Sequence, residues 1–474
     1  MKQFKSLFKD TFIYGLSGII SSFISIFLIP LYTKVFEPAD YGVISILTTT
    51  SAFLNILLIF SLDNSAAVWF WDKPDEKERK VTFNSWLVFL AGTGLVAMLI
   101  VVAFSSQLSL LFFDTKAYSL LFILIGLNLL FVGFQKVVNI WCRMLHQPLK
   151  AMTYSLILLA TTLCFNIVFI LYLRIGVQGV FYSQLIAGFM GFIFMLLLLG
   201  KWVQPGSFSY VRLKDMLRFS LPLVPASLLY WVMNMASIYF LKLLVKDNAE
   251  IGLYQVGASI SNILSLVTWA FFQAWTPFAL SISKEENARR TYSKVFEWYC
   301  VLGFSCAFLL LFFAKDILII FTRESYIDAW QIIGLLAINV VMMGVPNILA
   351  IANSIAKNNI SYAVSMPISA LVTVILFFML IPQFGKEGAA LAMIVGNIVM
   401  CIILTYKAQR LYFIPYNFKR IILFFLLCTL VFSGMLQLNL NLLEKIGIAA
   451  VLFAGLLLVF RKKVKELLPL KQFK

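Results

Sequence analysis

The chain has 474 residues, 62% hydrophobic and 12% charged, with a mean hydropathy of +0.94 and a formal net charge of +17. A soluble domain carries roughly 25% charged residues, so this chain lacks the polar surface to cover a water-soluble body. Its basic residues are dealt out over alternate loops between apolar runs, which excludes a nucleic-acid partner.

Taken in chain order, fourteen apolar segments lie near the roughly 20-residue length that crosses a bilayer as helix. They run over 12–33, 41–62, 83–104, 118–140, 152–173, 178–200, 217–241, 251–280, 295–314, 329–351, 361–381, 387–407, 418–437 and 443–460. Backbone N–H and C=O groups in hydrocarbon must be paired within the structure, so each run is predicted to be a helix. The expected fold class is an all-α polytopic membrane protein. The first run is too long for a signal-peptide core, and no A-x-A site follows it. Cys142, Cys164, Cys300, Cys306, Cys401 and Cys428 fall in spans or at their ends and read as small apolar residues, neither disulfides nor metal ligands.

Of the 38 Lys and Arg, 28 fall in one set of alternate loops and nine in the other, while Lys136 lies inside a span. The positive-inside rule puts the richer set, with both termini, in the cytoplasm. One missed helix would scramble this asymmetry, so it also checks the segmentation.

The two halves repeat each other. Lys9-Asp10 answers to Lys214-Asp215, and Glu37 to Gly42 (EPADYG) answers to Asp247 to Gly252 (DNAEIG). Asn55 answers to Asn262, and Gly176-Val-Gln-Gly179 to Gly385-Lys-Glu-Gly388. The offsets are 205, 210, 207 and 209. Six spans per repeat keep both halves in one orientation, a parallel repeat whose interface is where transporters place a substrate path. The expected organisation is a lobe over 1–200 (spans 1–6), a cytoplasmic linker over 201–216, a second lobe over 217–410 (spans 7–12), and two further spans with a basic tail over 411–474.

No G-x-x-x-x-G-K-[ST] motif is present, which argues against ATP hydrolysis by this chain. The single histidine, His146, excludes an H-E-x-x-H zinc site and reads as an ordinary loop residue. No loop exceeds roughly 20 residues, the length of one span, so an extramembrane catalytic domain has no room. No enzyme activity, metal or cofactor is expected.

Polar residues recur at helical spacing on several spans. Span one carries Ser21 and Ser25, and span two carries Asn55 and ends on Asp63. Span four carries Asn128, Gln135, Lys136, Asn139 and Arg143, span seven Tyr230 and Asn234, and span eight Asn262, Trp269 and Gln273. Serines every fourth residue also suit close helix packing, and intramembrane amides also suit interhelical bonds. Faces at repeat-equivalent places fit a shared central cavity. A lysine within a span costs roughly 2.5–3.5 kcal/mol on insertion scales, which marks Lys136 as functional unless it snorkels to the nearby cytoplasmic end. Asp63 pairs with a cation or caps its span. Arg143, with Arg218, sits at the cytoplasmic edge as an anchor. Trp269 either anchors at an interface or stacks on a sugar. A cationic cavity would suit a diphosphate.

The segments Phe27-Leu-Ile-Pro30-Leu-Tyr32-Thr-Lys34 and Pro38-Ala-Asp40-Tyr41-Gly42 resemble the opening of O-antigen-type (Wzx-like) polysaccharide flippases of the multidrug/oligosaccharidyl-lipid/polysaccharide exporter superfamily. So do Asp63 to Phe70 (DNSAAVWF) and Gln273-Ala-Trp-Thr-Pro277-Phe. The resemblance covers the whole chain in span number and orientation. It implies two six-helix lobes in a V, with spans one, two, seven and eight around the cavity. It further implies alternating access that carries polyprenyl-diphosphate-linked oligosaccharide to the outer leaflet of a bacterial cytoplasmic (inner) membrane, for O-antigen, capsule or exopolysaccharide synthesis. A polysaccharide polymerase and other assembly proteins would be partners beside substrate and membrane lipids, and H+ or Na+ a coupling ion. Relatives often carry arginine after the span-two motif, where this chain has Trp69-Phe70-Trp71, so a cationic role there is in doubt. The alternatives are an ion-coupled multidrug exporter of the same superfamily and a peptidoglycan-precursor flippase. The exporter would usually have twelve spans and buried carboxylates. The peptidoglycan-precursor flippase typically starts differently.

Overall fold

An apolar run with no polar neighbour satisfies its own backbone by winding into helix. The computed structural model, which describes residues 28–72, 75–358, 360–438 and 440–451, shows this throughout, with no strand among the described residues. The long helices in chain order are α1 (Pro38–Ile59) with its continuation α2 (Leu62–Asp72), α3 (Glu76–Ala103), α4 (Ser119–Met144), α5 (Pro148–Asn166) and α6 (Val177–Leu199). The second half follows with α7 (Tyr210–Ser220), α8 (Val224–Met235), α9 (Ser237–Leu244), α10 (Asn248–Ser261), α11 (Ile263–Ser281), α12 (Ala288–Phe312), α13 (Trp330–Leu349), α14 (Ile360–Leu411) and α15 (Phe418–Leu436).

Among the described residues eleven helices are long and apolar enough to cross a membrane. One of them, α14, is two spans joined at Gly385, whose φ of 52° and ψ of −129° are not helical. Expected spans two to thirteen are thus all found. Span one falls mostly outside the described residues, and the fourteenth is described only as far as residue 451.

The internal repeat is written into the backbone. Gly176, the repeat partner of Gly385, has φ 67° and ψ −148°, the same glycine-favoured conformation at the same bend between two spans. Packing repeats as well. In the first half α3 lies on α4 and α4 on α6; in the second α12 lies on α13 and α13 on α14.

The most extensive contact between the halves is α1 against α10, at the end of the bundle away from the basic loops. Here Gly42 and Gly252, again repeat partners, meet reciprocally. A Cβ on Gly42 would lie 1.9 Å from the carbonyl oxygen of Asn248, and one on Gly252 1.9 Å from that of Pro38. Only a residue without a side chain lets two helix backbones come so close. Around this crossing Tyr326 donates its hydroxyl to the Phe36 carbonyl at 2.9 Å, and Arg323 pairs with Glu37 at 3.2 Å on the exposed rim.

Residues 201–216 are docked rather than free. Asn84, fully buried in α3, donates to the Trp202 carbonyl at 2.8 Å and accepts from the Gln204 N–H at 2.7 Å. Arg212 of α7 donates to Glu78 at 2.5 Å and to the Thr82 hydroxyl at 2.9 Å. Ser65 donates to the Met216 carbonyl at 2.8 Å, and Trp69 meets Phe219 edge-on at 5.7 Å. The helix α7, which begins inside the expected linker, is therefore packed on the first half.

Candidate functional site

The second span is broken. Phe60 and Ser61 take φ of 51° and 54°, and helix resumes at Leu62 as α2. Non-glycine residues with positive φ cost energy, and discontinuous membrane helices of this kind build binding sites in transporters. The break creates a helix N-terminus within the span, and Asp63 sits in its first turn, where the helix dipole favours a negative charge.

Lys136 of α4 meets that carboxylate. Its Nζ lies 2.9 Å from Asp63 Oδ2, with the lysine side chain 45% exposed and the aspartate 14%. The pair neutralises two charges that would each be costly in a membrane, yet leaves the ammonium half open. Asp63 Oδ1 is buried with no hydrogen-bond partner among the described residues, which hold the carboxylate through its other oxygen. Of the two readings open for Asp63, the structure shows pairing with a cation. Lys136 reaches Asp63 instead of running to the basic end.

In the second half a cavity of about 400 Å³ opens beside α11. Three residues expected from the sequence, Tyr230, Asn262 and Trp269, line it together. Ser265 and Thr268 join them one and two turns along α11, and Asn347 comes from α13. Those three were not among the expected residues. Ser265 and Thr268 continue the helical spacing from Asn262, and Asn347, an amide following Pro346 within an apolar span, carried its own signal.

The other expected residues are placed differently. Asn128 is turned into the packing of α4 on α6, because a Cβ on Gly188 would lie 2.6 Å from its Oδ1. Asn234 bonds the Tyr230 carbonyl of its own helix at 2.6 Å. Asn55 is half-buried with its Oδ1 unpartnered, close in sequence to Phe53, whose ring meets Trp231 at 5.0 Å where α1 crosses α8. Gln135 and Gln273 are exposed, Asn139 is half-buried, and Arg143 is exposed in the last turn of α4. Ser21 and Ser25 lie outside the described residues. Among the described residues no group of His, Cys, Asp and Glu could hold a metal ion.

Two polar features therefore stand out among the spans: an ion-paired lysine at a broken helix in the first half, and in the second a cavity where amides, hydroxyls and an indole are set among apolar side chains. The fold that carries them has solved counterparts. It is similar to the lipid II flippase MurJ in an inward closed conformation, with TM-score 0.76 and 14% identity over 96% of this chain and 99% of that one. It is also similar to a multidrug resistance MATE family transporter of the MOP superfamily. The inward-facing form gives TM-score 0.67 at 15% identity over 85% of this chain and 94% of that one. The outward-facing form gives 0.62 at 15% identity over 86% and 97%. At these identities the likeness is one of fold. No curated protein matches the sequence. The model of the family described as polysaccharide biosynthesis protein matches residues 7–283. With that match over more than half of its length, on a fold shared with flippases and exporters, the chain belongs to the polysaccharide biosynthesis protein family.

Proposed function

We propose that the protein flips a polyprenyl-diphosphate-linked oligosaccharide across the membrane by alternating access, from the leaflet beside its basic loops to the opposite one. The positive-inside rule makes the first of these the cytoplasmic leaflet. The observation that carries the reading is the Lys136–Asp63 pair. A lysine already neutralised costs little to keep in the span, and its exposed face can be taken over by a diphosphate, which offers it stronger charge-assisted hydrogen bonds. The amides, hydroxyls and indole around Asn262 and Trp269 suit the sugar portion, while the polyprenyl chain stays in lipid. Consumption of the glycan on the far side, or an H+ or Na+ gradient, drives the cycle. An ion-coupled drug exporter would need a carboxylate free to take up its ion, and Asp63 is engaged by Lys136.

The test is depletion in the native host, with lipid-linked oligosaccharide quantified by leaflet in sealed vesicles. Complete units should accumulate in the cytoplasmic leaflet, and wild-type protein should clear them. Lys136→Ala should clear them about tenfold or more slowly, the value of one lost charge-assisted contact. Lys136→Arg should retain part of the activity, because the charge survives while the single-point geometry does not. Unchanged lipid-linked glycan in both leaflets after depletion would overturn the reading.

A further inference from the structure

A second crevice, about 430 Å³, runs between α11 and α12 and shares Thr268 with the cavity around Asn262. Both helices pack on α13, whose Val341 forms part of the floor. The walls are apolar along almost their whole length, and Val267, Phe278 and Leu302 are exposed at the opening. One end differs. There Thr291 and Lys294, in the first turns of α12 and close to the exposed Arg289 and Arg290, line the crevice. No described carboxylate lies within ion-pair distance of Lys294.

We propose that this crevice binds one anionic phospholipid of the leaflet beside the basic loops, with a hydrocarbon chain between α11 and α12 and its phosphate on Lys294 and Thr291. Length supports this. From Thr291 to Cys306, both lining the crevice, α12 rises about 22 Å at 1.5 Å per residue. A single leaflet of hydrocarbon is about 15 Å deep, half of a roughly 30 Å core. The crevice therefore reaches from a headgroup level to the end of one chain. Charge supports it too: Lys294, with no ion-pair partner among the described residues, sits where the headgroup of that leaflet would lie, and the remaining lining is hydrocarbon-like. The polyprenyl chain of a substrate is the poorer occupant. Apart from Thr268, the two hollows are lined by different residues of α11.

The inference does not rest on the transport reading, and its test involves no transport. Full-length protein, purified and stripped of lipid, is titrated with phosphatidylglycerol and separately with phosphatidylcholine, and bound lipid is counted by native mass spectrometry. One phosphatidylglycerol should bind about fivefold more tightly than phosphatidylcholine, the contribution of one lysine at a headgroup. Lys294→Ala should bring the two lipids level. Val267→Trp, filling the crevice from its exposed wall, should weaken both. Each variant is checked for an unchanged unfolding temperature, which surface positions should keep; Leu302→Trp replaces Val267→Trp if that variant is unstable. Equal binding of the two lipids by wild type, or a preference that survives Lys294→Ala, overturns the proposal. Binding unaffected by filling the crevice also overturns it, leaving only headgroup attraction to a basic loop. Displacement of phosphatidylglycerol by equimolar polyprenyl phosphate would assign the crevice to the substrate's tail instead.

Discussion

A charged side chain buried at a helix junction is stable only with its partner in place. Lys386 follows the Gly385 bend and is 8% exposed. Its Nζ lies 3.0 Å from Glu250 Oε2 and 3.2 Å from Oε1, near the start of α10, with Glu387 at 3.6 Å. Removing one member of a fully buried pair costs about 3–5 kcal/mol, because the other charge is left without compensation. Glu250 keeps 31% of its side chain exposed, so water softens the loss here. Lys386→Met is expected to cost about 1–3 kcal/mol. Adding Glu250→Gln should return part of that, since only Glu387, 28% exposed, is then left without its cation. Thermal unfolding of the two single variants and the double variant in detergent gives the coupling. Equal destabilisation by the double variant and the sum of the singles would show that the pair is not coupled. The sequence places Lys386 in a loop, because a lysine between two apolar runs reads that way. Its acceptor is 136 residues away, and no local pattern names it. The same holds for Lys136 and Asp63. Each is visible alone as a charge in or closing a span, but their pairing across two helices is not.

Helical elements were legible because their cause is local: an apolar run of sufficient length has no other way to satisfy its backbone. Their ends and breaks were less so. The break at Phe60–Ser61 carries no glycine or proline to mark it in the sequence, and beyond it α2 packs on α7, α3 and α4. Periodicity reports which residues share a helix face but not what that face meets, so Asn128, spaced like a cavity residue, lies against Gly188 instead. The linker shows the same limit. The sequence marks 201–216 as a cytoplasmic linker without saying what holds it, and Asn84 and Arg212 fasten it to α3. Motion between the halves is then expected to hinge after α7, at the short 3₁₀ turn Leu221–Leu223 between α7 and α8. If so, Asn84→Ala loosens the segment by removing two hydrogen bonds from a half-exposed loop, where water can take their place, at about 0.5–1.5 kcal/mol per bond. Amide hydrogen exchange should then rise over residues 201–216 while α8 stays protected. Faster exchange in α8 with no change in 201–216 would put the hinge elsewhere.

At the scale of the whole molecule, the question is what holds the two halves together at the end away from the basic loops. The exposed Arg323–Glu37 pair is a weak candidate, since surface ion pairs contribute about 0–1 kcal/mol. In a membrane, helices associate through close packing rather than through expulsion of water, so the reciprocal contact of Gly42 and Gly252 carries more weight. Each glycine admits a carbonyl of the other helix where any side chain would collide, and Tyr41, Val43, Ile46, Leu47, Ile251 and Val256 are buried around them. Gly42→Val should push α1 from α10 and populate a state open at this end. The measurement is labelling of Asn262→Cys, in a chain whose own cysteines are replaced by serine, with an impermeant maleimide added from the side opposite the basic loops. Gly42→Val should raise the labelling rate several-fold. Gly252→Val should do the same, because the two positions are equivalent by the repeat. Arg323→Ala should leave the rate near wild type. If Arg323→Ala opened the site as much as Gly42→Val did, the halves would be held by charge at their rim and not by the glycine crossing.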